Sequence, residues 1–147
     1  MLAEDRIEVE DLLRCFYRLV DSGKADQTSA LFTADAKLTF GPGAPNPGSI
    51  EGAGIAAAMQ ARGRMNGVVT RHVLTNLAFE QSGPDEITVY SLLTLYRYDG
   101  ALAADALPDT YPASIADVFE RVVRTGDGWR ICERTINPVF NRPVARR

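Results

Sequence analysis

The 147-residue chain is poor in the residues that build metal centres and disulfide frameworks, since it has two cysteines and one histidine. Cys15 and Cys132 lie far apart and form no CxxC motif, so we expect two free, buried thiols rather than a bridge. A zinc site would need both thiols, the single imidazole of His72 and a carboxylate to meet at one point. The spacing of these residues along the chain does not match any zinc-binding motif. We therefore predict no metal site.

Long apolar runs and long basic runs are also absent. No segment approaches the ~20 apolar residues that a transmembrane helix requires. The N-terminal sequence MLAEDRIEVEDLL is rich in acidic residues, whereas a secretory signal peptide begins with basic residues. The net charge is −3 and the only basic run is Arg146-Arg147, whereas a general nucleic-acid surface needs a basic field. We expect a cytoplasmic protein that binds neither nucleic acid nor membranes.

Several catalytic motifs are missing from the chain. There is no G-x-S-x-G nucleophile elbow, no phosphate-binding Walker loop and no dinucleotide-binding G-x-G-x-x-G after a strand. The remaining composition is that of an ordinary globular protein, with 46% hydrophobic and 24% charged residues. At this length, one domain with a full hydrophobic core is expected.

Helical periodicity dominates the N-terminal half of the chain. Apolar residues at helical spacing predict an amphipathic helix over residues 5–21, followed by a short second helix. A short strand over Ala36–Phe40 precedes a loop rich in proline and glycine at 41–49. A third helix is predicted over Gly52–Arg62.

Strand-like sequence dominates the C-terminal half. Runs rich in β-branched and aromatic residues predict four strands, over residues 68–80, 86–98, 114–124 and 129–136. Gly100–Ala113 is expected to be a long exposed connection, and residues 139–147 an extended tail beyond a core of about residues 5–138. Helices followed by antiparallel strands predict an α+β fold, with helices on one face of a curved sheet that encloses a cavity.

The only histidine lies in the predicted strand TRHVLTN. The even-numbered residues of this strand share one face, namely Thr70, His72, Leu74 and Asn76. The other face would carry Val73, Leu77 and Phe79. An imidazole is a suitable general base near neutral pH, although a lone strand histidine is more often structural.

Asp21 stands at the end of the first predicted helix, one turn after Tyr17 and off the apolar stripe. Taken alone, it is typical of a solvated C-terminal residue, in a place that the helix dipole slightly disfavours. The pattern of residues gives no further reason to assign it a role.

Three passages together resemble the SnoaL-like domain of the nuclear-transport-factor-2-like superfamily. They are RCFYRLVDSGKADQTSALFTADAKLTF, TRHVLTNLAFE and FERVVRTGDGWRICERTINP, and the similarity spans about residues 5–138. The resemblance implies a cone, in which a strongly curved antiparallel sheet is wrapped by three helices around an apolar pocket.

Within that superfamily the chain is similar to scytalone dehydratase, hexachlorocyclohexane dehydrochlorinase and the bile-acid dehydratase. Those enzymes use an aspartate at the end of the first helix and a strand histidine as a catalytic dyad, which implies Asp21 and His72. The C-terminal arginine of the bile-acid enzyme falls on Arg134. The chain departs from the pattern at Phe16, where the family often has tyrosine, and it lacks the second catalytic histidine of scytalone dehydratase. It also has Phe40 where ketosteroid isomerases carry a carboxylate, so ketosteroid isomerase chemistry is not expected.

The resemblance implies a cofactor-independent lyase or isomerase. Asp21 would orient His72, whose free ring nitrogen would remove a proton next to an activating group of an apolar small molecule. The implied hydrogen-bond donors to the substrate are Tyr17, Asn76 and Arg134, with Phe16 and Phe40 as apolar lining. Two structural alternatives stay open. Arg134 could form an ion pair with Asp117 or Glu120, and the Asn76 side chain could hydrogen-bond backbone groups at a bulge.

A second function class is also consistent with the resemblance. Some proteins of this fold catalyse nothing, such as the small subunit of aromatic-ring-hydroxylating dioxygenases, which assembles with an iron-bearing partner. Others bind a ligand or pair through the open face of the sheet. In either case we expect a homodimer or homotrimer.

Overall fold

The N-terminal half of the chain forms three helices and two strands, within a computed structural model that describes residues 1–142. Helix α1 covers Ala3–Asp21, a 3₁₀ helix covers Ala25–Leu31, and helix α2 covers Ala53–Gly63. Strand β1 covers Phe32–Phe40 and strand β2 covers Gly48–Glu51. The predicted helices are confirmed, whereas β1 begins earlier than predicted and β2 begins within the predicted loop.

The C-terminal half, as far as residue 142, contains four long strands, which are β3 (Val68–Gly83), β4 (Glu86–Asp99), β5 (Pro112–Thr125) and β6 (Gly128–Asn141). All four predicted strands are confirmed, and each is longer than predicted. The prediction of an extended tail from residue 139 is wrong as far as Asn141, because Asn141 pairs with Ser114 of β5. The rest of that predicted tail, residues 143–147, lies outside the described residues.

All six strands join in one sheet with the order β2-β1-β6-β5-β4-β3. Only β1 and β6 run parallel, and the other neighbours are antiparallel. The predicted α+β class, with helices against a curved sheet, is confirmed. Because β3 lies at one edge of this sheet, it has a strand on one side only and is free to meet a helix on the other.

Helix α1 packs against the sheet and the 3₁₀ helix through one apolar stripe. The buried residues of this stripe are Val9, Leu13, Phe16, Tyr17 and Val20. The helix ends where Gly23 takes a φ of 77°, a left-handed conformation that glycine adopts without steric cost. This packing places the last turn of α1 beside β3. No helix within residues 1–142 is long and apolar enough to cross a membrane.

A β-bulge in β3 reverses the direction of its side chains. Asn76 and Leu77 together oppose Ser91 of β4, and Asn76 has a φ of 54°. The extra residue shifts the two-residue alternation of the strand by one position. The prediction that Leu77 and Phe79 lie on the opposite face from His72 is therefore wrong, since His72 and both of these residues are partly buried.

Candidate active site

The last turn of α1 meets the start of β3, and this contact brings Asp21 and His72 together. His72 Nδ1 lies 2.6 Å from Asp21 Oδ1, across 51 residues of sequence. The backbone N–H of His72 also donates to Asp21 Oδ2 at 2.8 Å. Because an ionised carboxylate only accepts hydrogen bonds, Nδ1 carries the proton in this arrangement, and in the neutral imidazole Nε2 then has a free lone pair.

Two further residues fix the carboxylate of Asp21. The Thr70 hydroxyl donates to Asp21 Oδ1 at 2.8 Å, and Nη2 of Arg62 in α2 donates to Thr70 Oγ1 at 3.0 Å. Sequence reasoning assigned no role to either residue. Thr70 could have been found, because it lies two residues before His72 on the same face of the strand. Arg62 carried no such signal, since only the packing of α2 brings it near.

The environment of Asp21 favours its ionised form. Burial is the largest single influence and raises its pKa, but the hydrogen bonds from the His72 side chain and backbone and from Thr70 together outweigh it. The net result is a pKa below the ordinary value for aspartate. Both side chains of the pair are 14% exposed, so the pair is largely buried but remains accessible to solvent.

Tyr17 stacks on the imidazole from the side of α1. The ring centroids of Tyr17 and His72 are 5.0 Å apart, with an angle of 28° between the planes. The Tyr17 hydroxyl is buried and has no hydrogen-bond partner among the described residues. Burial raises the pKa of Tyr17, so its hydroxyl stays protonated.

An open depression of about 570 Å³ lies between α1 and β3, with Asp21 and His72 in its wall. Its lining residues are Arg14, Tyr17, Arg18, Asp21, Ser22, Arg71, His72, Val73 and Leu74. The helical residues among them share one face of α1, because they are spaced three or four apart. Three of the nine are arginines, so this lining is more polar than the resemblance implies.

Arg134 lies outside the depression, buried in the sheet. Its Nε donates to Glu120 Oε1 at 2.5 Å, and neither side chain is exposed. The two residues face each other across β5 and β6. Of the alternatives for Arg134, the ion pair with Glu120 is confirmed, whereas Asp117 is exposed.

A second bulge directs Arg134 into the interior. Glu133 opposes Arg121 and Ile131 opposes Val122, which leaves Cys132 without an opposite residue in β5. The extra residue shifts the alternation of β6, so that Arg134 follows Ile131 into the core. Its guanidinium carbon then lies 4.0 Å from the Phe16 ring centroid.

The structure does not bring Phe16, Phe40 or Asn76 to the depression. Phe16 is buried in the core, where it contacts Arg134 and the edge of Tyr17. Phe40 is half-buried at the far end of β1, and Asn76 is exposed at the bulge of β3. The bulge accounts for Asn76, because this position needs a left-handed backbone that asparagine tolerates well. The bulge alternative for Asn76 is the one that the structure favours.

Residues 1–142 hold no group of three or more His, Cys, Asp or Glu side chains that could bind a metal ion. Cys15 and Cys132 are free thiols as predicted, although half-buried rather than buried. Burial raises the pKa of the Cys132 thiol, against the opposing effect of Arg121. Neither thiol lines the depression, whose wall contains the imidazole of His72 and the carboxylate of Asp21.

The fold and this site define a small α+β domain with an acid–base pair beside a ligand-sized depression. A family model described as the SnoaL-like domain matches residues 1–135, so the chain belongs to this family. A comparison with curated proteins found no match.

Solved structures with the same fold come from Novosphingobium aromaticivorans, among other organisms. An NTF2-like protein with a cystatin-like fold has a TM-score of 0.71 and 22% identity, over 92% of this chain and 82% of that chain. A candidate scytalone dehydratase has a TM-score of 0.75 and 13% identity, over 99% and 94%. A candidate aromatic ring hydroxylase has a TM-score of 0.74 and 24% identity, over 95% and 92%. At such identities the likeness shows the fold alone.

Proposed function

We propose that this protein is a cofactor-independent lyase or isomerase, similar to the dehydratases, in which Asp21 and His72 transfer a proton. The observation that carries the proposal is the 2.6 Å contact between His72 Nδ1 and Asp21 Oδ1 in the wall of a depression large enough for a small molecule. The scytalone dehydratase attribution of one structural neighbour agrees with this class of reaction.

In the proposed reaction, Nε2 of His72 takes a proton from a substrate carbon that lies next to an activating carbonyl or aryl group. The electrons of the broken C–H bond form a carbon–carbon double bond. A hydroxyl on the neighbouring carbon then leaves with its electron pair, receives the proton from the imidazolium and departs as water. Alternatively, the imidazolium returns the proton to a different carbon, and the net reaction is an isomerisation.

The surrounding residues support each part of this step. The Asp21 carboxylate stabilises the imidazolium that forms and holds Nδ1 in its protonated tautomer. The hydrogen bond from Thr70 and the stacked ring of Tyr17 restrict movement of the pair. General-base catalysis of this kind contributes roughly 10²–10⁴-fold to the rate.

Proton exchange tests the proposal before the natural substrate is found. A panel of small carbon acids, such as aryl ketones, is incubated with the protein in D₂O, and deuterium incorporation at the activated carbon is followed by NMR. We expect His72→Gln and Asp21→Asn each to slow the enzyme-dependent exchange by about 10²–10⁴-fold. The matched control is Asp11→Asn, which makes the same change at an exposed position of α1.

The melting temperatures of these variants separate chemistry from folding. If His72→Gln keeps the wild-type melting curve and also the wild-type exchange rate, the imidazole is not the base and the proposal fails. If Asp11→Asn loses exchange together with Asp21→Asn, the loss reflects net charge rather than the pair.

A non-catalytic scaffold is the second candidate, and large exposed apolar side chains favour it. Tyr90, Tyr111 and Phe140 are 44%, 71% and 66% exposed, which suits a surface that another chain covers. We propose assembly as a homodimer or homotrimer in either case, to be measured by light scattering. Co-purification with a Rieske-type large subunit, together with dyad variants that change nothing, would favour the scaffold.

A further inference from the structure

The rim of the depression carries an excess of positive charge that the proposed proton transfer does not need. Arg14, Arg18 and Arg71 line it together with a single carboxylate, that of Asp21. That carboxylate is already occupied by hydrogen bonds from His72 and Thr70. The chain as a whole has a net charge of −3, so the excess is local to this site.

Structural roles account for these arginines only in part. Arg14 forms an ion pair with Glu10, one turn earlier in α1. Nη1 of Arg71 donates to the backbone oxygen of Thr70 at 2.7 Å. The same nitrogen lies 3.5 Å from the backbone oxygen of Asp21. Within residues 1–142, neither Arg18 nor Arg71 has an acidic side chain within ion-pair distance.

Guanidinium groups without an acidic partner are suited to bind oxyanions. Each presents several N–H donors in one plane, which match the two oxygens of a carboxylate or of a phosphate. Arg18 and Arg71 line the same depression as Asp21 and His72, and Nη1 of Arg71 lies 3.5 Å from the backbone oxygen of Asp21. An anion held at this rim would leave the rest of the ligand against Tyr17, Val73 and Leu74.

We propose that Arg18 and Arg71 form an anion-binding subsite, and that the substrate is an amphipathic small molecule with a carboxylate or phosphate group. This assignment rests on the proposed function, because the subsite would present the substrate to His72. It also refines the expectation of an apolar substrate, since only one part of the molecule would contact apolar side chains.

The single histidine of the chain provides a direct test of binding. Because there is one histidine, the NMR spectrum contains one set of imidazole C–H signals, which reports on the depression without any turnover. Benzoate and phenyl phosphate are titrated as anionic probes, and benzamide serves as the neutral probe of nearly the same shape as benzoate. We expect saturable shifts of the His72 signal with one or both anions, a much weaker response to benzamide, and weaker anion binding at higher salt.

Arginine variants locate the subsite. Arg18→Gln changes an exposed helix position and is expected to keep the fold, while raising the dissociation constant of the anion about five- to tenfold. Arg71→Lys keeps the charge but removes the planar donor pair, and a smaller rise is expected. The control is Arg6→Gln, which removes the same charge from α1 about 18 Å further along the helix axis.

Three results would overturn the proposal: a response to benzamide as large as the larger of the two anion responses, no response to either anion, or equal anion affinity in wild type and Arg18→Gln. The comparison of benzoate with phenyl phosphate decides which oxyanion the rim prefers. The proposed function fails separately, through the exchange rates of His72→Gln and Asp21→Asn. Arginine-dependent anion binding with unchanged exchange in those variants would support the subsite and contradict the catalytic pair.

Discussion

Two acid–base pairs in this protein join side chains of similar chemistry in different surroundings. Asp21 and His72 meet between a helix end and an edge strand, where each is 14% exposed. Glu120 and Arg134 face each other between two inner strands and are not exposed at all. The first pair has access to a ligand, and the second does not.

The two pairs also differ in how completely their polar atoms are bonded. Both oxygens of Asp21 accept hydrogen bonds. Glu120 Oε2 and Nη1 of Arg134 are buried and have no hydrogen-bond partner among the described residues. A buried pair with unpartnered atoms gains little net free energy from its attraction, but it is sensitive to the loss of either member.

This contrast shows which pair suits a reaction. A base must reach the substrate and still be held in one orientation, and only the pair with His72 meets both conditions. Arg134 lies over the rings of Phe16 and Tyr17, with its guanidinium carbon 5.1 Å from the Tyr17 ring centroid. Its contribution to the site is therefore to support Tyr17, which in turn stacks on His72.

Breaking the buried pair should have the largest effect on stability. Glu120→Ala leaves the guanidinium of Arg134 buried and unpaired, so we expect a loss of about 3–5 kcal/mol in the free energy of unfolding. The control is Asp117→Ala on the same strand, an exposed position where a change within about 0.5 kcal/mol is expected. Fluorescence of Trp129, the only tryptophan and a buried one, follows unfolding in urea.

Replacing both members sharpens that prediction. The double variant Glu120→Leu with Arg134→Met removes the two charges together, so most of the stability lost in Glu120→Ala should return. Equal unfolding free energies for Glu120→Ala and Asp117→Ala would show that the guanidinium is not dependent on Glu120.

Loosening the solvent-accessible pair should have a smaller effect. Thr70→Val keeps the shape of the side chain but removes the hydrogen bond to Asp21, with an expected loss of about 1 kcal/mol in stability. If that bond positions the pair, proton exchange should also slow by about tenfold, which corresponds to about 1.4 kcal/mol in the barrier. Thr75→Val, an exposed change on the same strand, should alter neither quantity.

The smallest expected effect is a difference in acid stability between wild type and Asp21→Asn. The pKa of Asp21 is lowered in the folded protein, so its ionised form contributes stability that is fully present above the unfolded-state pKa of about 4. That contribution is lost as the pH falls through the lower folded-state pKa. Below about pH 4 the wild type should therefore lose stability more steeply than Asp21→Asn. Urea unfolding at several pH values measures the two slopes, and parallel slopes would contradict the prediction.

The helices and strands could be predicted with good accuracy because their sequence patterns are local. The stripe of α1 and the four long strands follow directly from spacings of about 3.6 and 2 residues. The short strand β2 was missed, because it is a Pro- and Gly-flanked segment that becomes a strand only by pairing with β1.

The site was predictable in part. Asp21, His72 and Tyr17 came from a helix end, a single histidine and a family resemblance, and the structure brings these three together. Asn76 and Arg134 were placed in the site by the same resemblance. A bulge in β3 instead leaves Asn76 exposed, and a bulge in β6 directs Arg134 into the core. The extra residue of a bulge leaves no reliable trace in the hydrophobic pattern, although it reverses every following side chain.

From its sequence alone, this protein is an α+β domain with one histidine and an aspartate at a helix end, because helix and strand periodicity and residue type are properties of short segments. The tertiary structure decided that Thr70 and Arg62 fix the carboxylate, that Arg18 and Arg71 line the same depression as the imidazole, and that Arg134 pairs with Glu120. Those contacts depend on strand register, bulges and the packing of the helices on the sheet, none of which a short segment specifies.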